Sequence, residues 1–150
     1  MLWKKMTTRS PEETEEAGKD LATAMSQDGD LPPFVAFYGD LGVGKTAFIR
    51  GFVSVISPRS AVRSPTFALV NEYRGGKRPI FHFDMYRITD EDDLYSIGFD
   101  DYPDRGICLV EWSENIPFAL PEKYIRVQIE KTEADENERS ITIERVEKLC

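Results

Sequence analysis

Apolar residues recur along this chain with two different spacings, and the changes between them mark the elements. Between Pro11 and about Ser26 the spacing is helical, with Ala17, Leu21, Ala24 and Met25 predicted to face inward. Ser10-Pro11-Glu12-Glu13 reads as a capping box with proline at the first helical position, and Asp28-Gly29-Asp30 ends the helix. Phe34 to Tyr38 is then an unbroken apolar run of strand length. Helical spacing returns from Ala47 to Ile56, with Phe48, Phe52 and Val55 on one line and Ile49, Val53 and Ile56 beside it, in a helix that opens at Lys45. Ahead of all of these, Leu2 to Thr8 reads as a short edge strand.

The second half alternates instead. Thr66 to Tyr73 and Pro79 to Phe83 are β-rich runs joined by Arg74-Gly75-Gly76-Lys77, a hairpin signature. Tyr124 to Glu130 and Ser140 to Val146 alternate apolar and polar residues across an acidic turn, Thr132 to Glu138, and predict a terminal hairpin. Between the hairpins, Glu91 to Ile97 reads as a short acidic helix closed by Gly98, and Ile107 to Val110 as a strand buried on both faces. Pro58 to Pro65 is bracketed by prolines and predicts a mobile loop. The fold class that results is α/β with a mixed sheet, and 150 residues with 41% hydrophobic content suit one domain spanning residues 1–150.

Candidate chemistry begins in the gap between the strand at Phe34 to Tyr38 and the helix at Lys45. Gly39-Asp40-Leu41-Gly42-Val43-Gly44-Lys45-Thr46 fits G-x-x-x-x-G-K-[ST], a loop whose main-chain N–H groups cradle phosphates. Side chains at Gly39, Gly42 or Gly44 would obstruct that wrapping, and the helix start adds free N–H donors and a positive dipole end. Lys45 is positioned to reach the outer phosphates of a triphosphate, and the Thr46 hydroxyl to ligate magnesium.

Two acidic residues and one hydroxyl extend the set. Glu111 follows the buried strand Ile107 to Val110, where phosphate-loop enzymes place an acid near magnesium and the attacking water; with no aspartate before it, Glu111 would combine both duties. His82 and Asp84 alternate onto one face at the end of the second hairpin strand, so Asp84 can hold a magnesium-bound water, while Arg87 can pair with phosphate or carboxylate. His82 is the sole histidine and lacks a second one with which to build a metal site. Thr66, in Ser64-Pro65-Thr66, occupies a place where nucleotide switches put a hydroxyl that senses the terminal phosphate, with Arg59 and Arg63 beside it. Trp112 and Tyr86 flank these residues, as packed aromatics often do.

The net charge of -8 opposes a protein that grips nucleic acid on a broad basic face, so any RNA role would run through partner proteins. Cys108 and Cys150 make neither a disulfide framework nor a metal spacing and suit reduced thiols. No apolar stretch approaches the roughly 18 residues of a membrane span, and the first residues carry no apolar signal core, which places the expected location in the cytoplasm.

Taken in order, Gly39 to Thr46, Ser64-Pro65-Thr66-Phe67, His82-Phe83-Asp84-Met85-Tyr86-Arg87 and Glu111-Trp112-Ser113-Glu114 resemble the TsaE (formerly YjeE) family, ATPases of bacterial tRNA threonylcarbamoyladenosine synthesis. The first motif is shared by many nucleotide-binding proteins; the later three in this order are close to specific. The resemblance spans essentially the whole chain, most firmly from about Phe34 to Glu114. It implies a P-loop NTPase fold with central parallel strands flanked by antiparallel hairpins. It also implies ATP and magnesium bound by the loop, Lys45 and Thr46, and hydrolysis dependent on Asp84 and Glu111. In the same family pattern Thr66 would lie in a switch-like loop and Trp112 near the nucleotide, and the chain would act with the TsaB and TsaD proteins. Ala47 stands where many relatives carry a second hydroxyl, which removes one phosphate contact. Two other readings remain on residues alone: a small-molecule or nucleotide kinase, opposed by the lack of an arginine-rich lid, and a non-enzymatic nucleotide-dependent adaptor. A GTPase is opposed by the absence of an Asn-Lys-x-Asp sequence.

Overall fold

The structure is a computed structural model that describes residues 2–39, 44–63, 70–76 and 78–147. Its elements run β1 (Leu2–Thr8), α1 (Pro11–Gln27), β2 (Phe34–Tyr38), α2 (Lys45–Ile56), β3 (Val70–Tyr73), β4 (Ile80–Asp84), α3 (Glu91–Ser96), β5 (Ile107–Glu111), β6 (Lys123–Lys131) and β7 (Arg139–Glu147). Among the described residues the strands form one sheet of seven in the order β1-β7-β6-β2-β5-β4-β3. The central strands β4, β5, β2 and β6 are mutually parallel, and β3, β7 and β1 are antiparallel additions at the two sides. This is the mixed α/β sheet that the sequence spacing predicts.

Each face of the sheet has its own core. Val35, Phe37, Ile80, Ile107, Leu109, Val127, Ile129, Ile141 and Ile143 bury against Ala17, Leu21 and Met25 of α1 and Phe48, Ile49, Phe52 and Val53 of α2. On the opposite face Phe34, Ala36, Phe81, Phe83, Cys108 and Val110 bury against Leu94 of α3, Phe99 and Ile116. A strand buried on both sides needs no alternation, which is why Ile107 to Val110 reads as a continuous apolar run. Burial in the second core pushes the Cys108 thiol up to about 12, as suits an unreactive packing residue; Cys150 lies outside the described residues.

Helices α1 and α2 touch backbone to backbone. A Cβ added to Gly18 would lie 1.9 Å from the Phe48 carbonyl oxygen, and one added to Gly51 would lie 1.8 Å from that of Glu15. No side chain larger than hydrogen fits either crossing point. The buried stripe of α2 is Phe48, Ile49, Phe52 and Val53, whereas Val55, on the same helical line as Phe48 and Phe52, is exposed. Val55 lies in the last turn, past the crossing with α1, where its side chain meets solvent.

Local signals set the element ends as the sequence predicts. Ser10 caps α1 by accepting from the Glu13 N–H at 3.1 Å, while the Glu13 carboxylate reaches past Ser10 to the Arg9 N–H at 3.0 Å. Asp90 caps α3 through the Asp93 N–H, and Gly98, in the left-handed region at φ 71°, ends it.

Candidate functional site

The topology gathers the carboxyl ends of the parallel strands beside the start of α2. Strand β2 ends at Tyr38, and Gly39 follows with φ 135°; Asp40, Leu41, Gly42 and Val43 lie outside the described residues, as does the segment with Thr66. The chain resumes at Gly44, whose φ of 109° favours glycine, and turns directly into α2. Among the described residues no side chain caps this helix, which leaves the N–H groups of its first turn available to an anion.

Lys45 is 5% exposed, and the charge it carries is buried. Its Nζ donates to the Gly39 carbonyl at 2.6 Å and lies 4.5 Å from the centre of the Trp112 ring. Trp112 is the only non-glycine among the described residues at positive φ, 59°, a backbone that costs an ordinary residue about 1 kcal/mol or more. That strain is held by the turn that follows: Ser113 Oγ donates to the Val110 carbonyl at 2.7 Å, and Asn115 Nδ2 donates to the Met85 carbonyl at 2.9 Å. Tyr86 packs against Trp112 with ring centres 5.1 Å apart.

The acids come from two adjacent strands. In the parallel β4–β5 pairing Asp84 stands opposite Glu111, so both project from the same face as α2 at the strand ends. Glu111 is the last residue of β5 rather than the one after it, and is 7% exposed. Its Oε2 accepts from His82 Nε2 at 2.7 Å. Asp84 is half-buried and accepts from the Tyr86 N–H at 3.0 Å. Burial raises the Asp84 carboxyl above its ordinary value; the Tyr86 hydrogen bond opposes this and the nearby Glu111 charge adds to it. A cleft of about 390 Å³ joins Gly44, Lys45, Thr46, Ala47, Asp84, Glu111 and Trp112, with Arg50 and Arg139 also in its lining.

Of the residues singled out from the sequence, Lys45, Thr46, Ala47, Asp84, Glu111 and Trp112 therefore line one cleft. Arg59, Arg63 and Arg87 are exposed and do not line it. The sequence reading leaves His82 without a partner, whereas the fold buries it fully between Glu111 and the Tyr73 hydroxyl. The alternation of His82 and Asp84 was visible; that β4 lies parallel and next to β5 was not.

The donor set suits a magnesium nucleotide. Among the described residues no three His, Cys, Asp or Glu side chains converge as a protein cage would require. Magnesium commonly keeps waters and takes one or two carboxylates or a hydroxyl together with substrate phosphates, and Thr46, Asp84 and Glu111 are of those kinds. An uncapped helix start with a buried ammonium matches the polyphosphate itself.

Comparison with known proteins agrees with the architecture. The chain is 38% identical over 149 residues to the tRNA threonylcarbamoyladenosine biosynthesis protein TsaE of Bacillus subtilis, covering 97% of this chain and 90% of that one. It is 32% identical over 145 residues to the protein of the same name from Rickettsia bellii, covering 96% and 98%. The crystal structure of Bacillus subtilis YdiB superposes with a TM-score of 0.75 at 32% identity, over 99% of this chain and 88% of that chain. The family model described as threonylcarbamoyl adenosine biosynthesis protein TsaE matches residues 8–141, and with relatives of that name matching nearly the whole chain, the chain belongs to the TsaE family of tRNA threonylcarbamoyladenosine biosynthesis proteins.

Proposed function

We propose that this chain is a single ATPase domain, residues 1–150, that binds ATP with magnesium, hydrolyses it slowly, and serves tRNA threonylcarbamoyladenosine synthesis together with TsaB and TsaD in the cytoplasm. One observation carries the reading: an uncapped helix start bearing buried Lys45 faces two carboxylates at the ends of β4 and β5. Lys45 would exchange its bond to the Gly39 carbonyl for the outer phosphates, and the first-turn N–H groups would hold their oxygens. Thr46 and Asp84 would hold magnesium, directly or through its waters, and the bound cation would neutralise charge developing on the phosphates. Glu111, with Oε2 held by His82, would orient the attacking water through Oε1 and accept its proton. Trp112, over Lys45, would shield that reaction from bulk solvent. Contact with tRNA would run through the partner proteins, as the acidic charge of the chain suggests.

Phosphate release from ATP, measured with and without magnesium and with and without TsaB and TsaD, tests this. Turnover is expected to be magnesium-dependent and faster in the complex, and Glu111→Ala is expected to retain ATP binding while losing turnover. Transfer of phosphate to a small acceptor in place of release would point to a kinase, and absence of turnover in every condition to an adaptor. Equal hydrolysis by wild type and Glu111→Ala would remove Glu111 from the mechanism.

A further inference from the structure

One buried row of hydrogen bonds runs from the catalytic cleft to a loop on the far side of the β3–β4 hairpin. His82 Nε2 lies 2.7 Å from Glu111 Oε2, and His82 Nδ1 lies 3.0 Å from the Tyr73 hydroxyl. That hydroxyl in turn lies 3.2 Å from the N–H of Arg63 and 3.1 Å from its carbonyl. His82 is 0% exposed and Tyr73 is 5% exposed, so the middle of the row is shielded from water.

The strand pairing explains why these groups meet. Asn71 pairs with His82 and Tyr73 with Ile80 across the antiparallel β3–β4 ladder, and Leu109 pairs with His82 across the parallel β4–β5 ladder. Tyr73, His82 and Glu111 therefore project from one face on three successive strands, each offset diagonally from the next. The loop end is fastened to the same hairpin: Asn71 Nδ2 donates to the Arg63 carbonyl at 2.9 Å, and the Gly75 N–H donates to Ser60 Oγ at 3.3 Å.

Proton counting fixes the cleft end of the row. A carboxylate oxygen only accepts, so Nε2 carries a proton and donates it to Glu111 Oε2. Tyr73 has one proton to give, and the Arg63 carbonyl, which also takes Asn71 Nδ2, and His82 Nδ1 both lie within its reach. The Tyr73 hydroxyl accepts from the Arg63 N–H and lies within donating reach of both the Arg63 carbonyl and Nδ1, so this one hydroxyl joins the ring to the loop backbone. Burial raises the Tyr73 phenol above its ordinary value, consistent with its keeping that proton.

We propose that His82 and Tyr73 are positioning residues that tie the Glu111 carboxylate to the backbone at Arg63, so that docking of the 57–63 segment on the β3–β4 hairpin holds Glu111 in its hydrolytic orientation. If the loop undocks, Tyr73 loses an N–H partner, its hydroxyl turns, and the imidazole is no longer held from behind. Glu111 then swings on a single unsupported bond. The inference deepens the hydrolytic reading of the cleft and rests on it for its kinetic consequence, while the coupling between Glu111 and Arg63 can be read without any turnover.

The experiment uses the full chain. Tyr73→Phe removes the hydroxyl and keeps the ring; it is expected to lower kcat on the order of tenfold, through misorientation, with KM for ATP unchanged. His82→Gln places an amide donor near the Nε2 position and His82→Asn does not, so glutamine is expected to retain more turnover than asparagine at matched melting temperature. Hydrogen exchange at the Arg63 amide is the second measurement, and it should accelerate in Glu111→Ala and in His82→Asn. Unchanged kcat in Tyr73→Phe, equal losses in the two His82 variants that track their melting temperatures, or unchanged Arg63 exchange would each overturn the proposal. If wild type shows no hydrolysis at all, the hydrolytic reading fails, and Arg63 exchange alone then decides whether the row couples loop to carboxylate.

Discussion

Helices α1 and α2 cross at a pair of glycines and share one core, yet they begin in opposite ways. Helix α1 has proline in its first turn, Ser10 as a cap, and Glu12 and Glu13 against the positive dipole end. Helix α2 has Gly44 at the cap position with no capping hydrogen bond, no acid in its first turn, and instead a buried lysine. Every choice at the start of α1 stabilises a helix for its own sake. Every choice at the start of α2 leaves donors free and places positive charge on positive potential, an arrangement that favours the helix only when an anion is present. The difference teaches where this fold gives up stability for binding, and the shared apolar face of α2 is what offsets the loss: Phe48, Ile49, Phe52 and Val53 are each fully buried, at roughly 1.5–3 kcal/mol apiece.

The comparison can be broken first at Lys45. Lys45→Ala is expected to weaken ATP binding roughly ten- to hundredfold, the worth of charge-assisted hydrogen bonds, and to leave the melting temperature unchanged or higher. Titration calorimetry and a thermal melt together check this, and a large loss of stability would show that the lysine serves the fold. The shared crossing is the next target. Gly51→Ala drives a Cβ into the Glu15 carbonyl and is expected to cost about 1–3 kcal/mol in urea unfolding, because backbone cannot move aside as a side chain can. A neutral result would mean that α1 and α2 pack less closely than 1.8 Å from an added Cβ implies. Ser10→Ala gives the smallest effect, about 1 kcal/mol of stability with ATP affinity unchanged. An affinity change there would show that the start of α1, which borders the cleft, also contacts the ligand.

Hydrophobic spacing made most elements legible. The α1 boundaries, the buried strand at Ile107 to Val110 and both hairpins follow from local patterns that act within a few residues of chain. Val55 shares the helical line of Phe48 and Phe52 yet is exposed, because helical spacing gives a line of positions and not how far along it the neighbouring helix extends. The phosphate-loop motif likewise placed Lys45 and Thr46, since a glycine loop between strand and helix is a local arrangement. Asp84 and Glu111 could be named as candidates, but their standing opposite one another depends on β4 and β5 being adjacent and parallel.

His82 shows the limit most clearly. Read along the chain it is the sole histidine, with no second one to build a metal site; in the fold it joins Glu111, which is 29 residues away, to Tyr73. The sequence by itself determined what each short stretch prefers to be and which residue types wait at its ends, because capping, turn chemistry and alternation are short-range effects. Only the tertiary structure decided which strand lies beside which, and so which carboxylate is held by which ring, because that order comes from burying two faces of one sheet at once, a condition that no local stretch can meet alone.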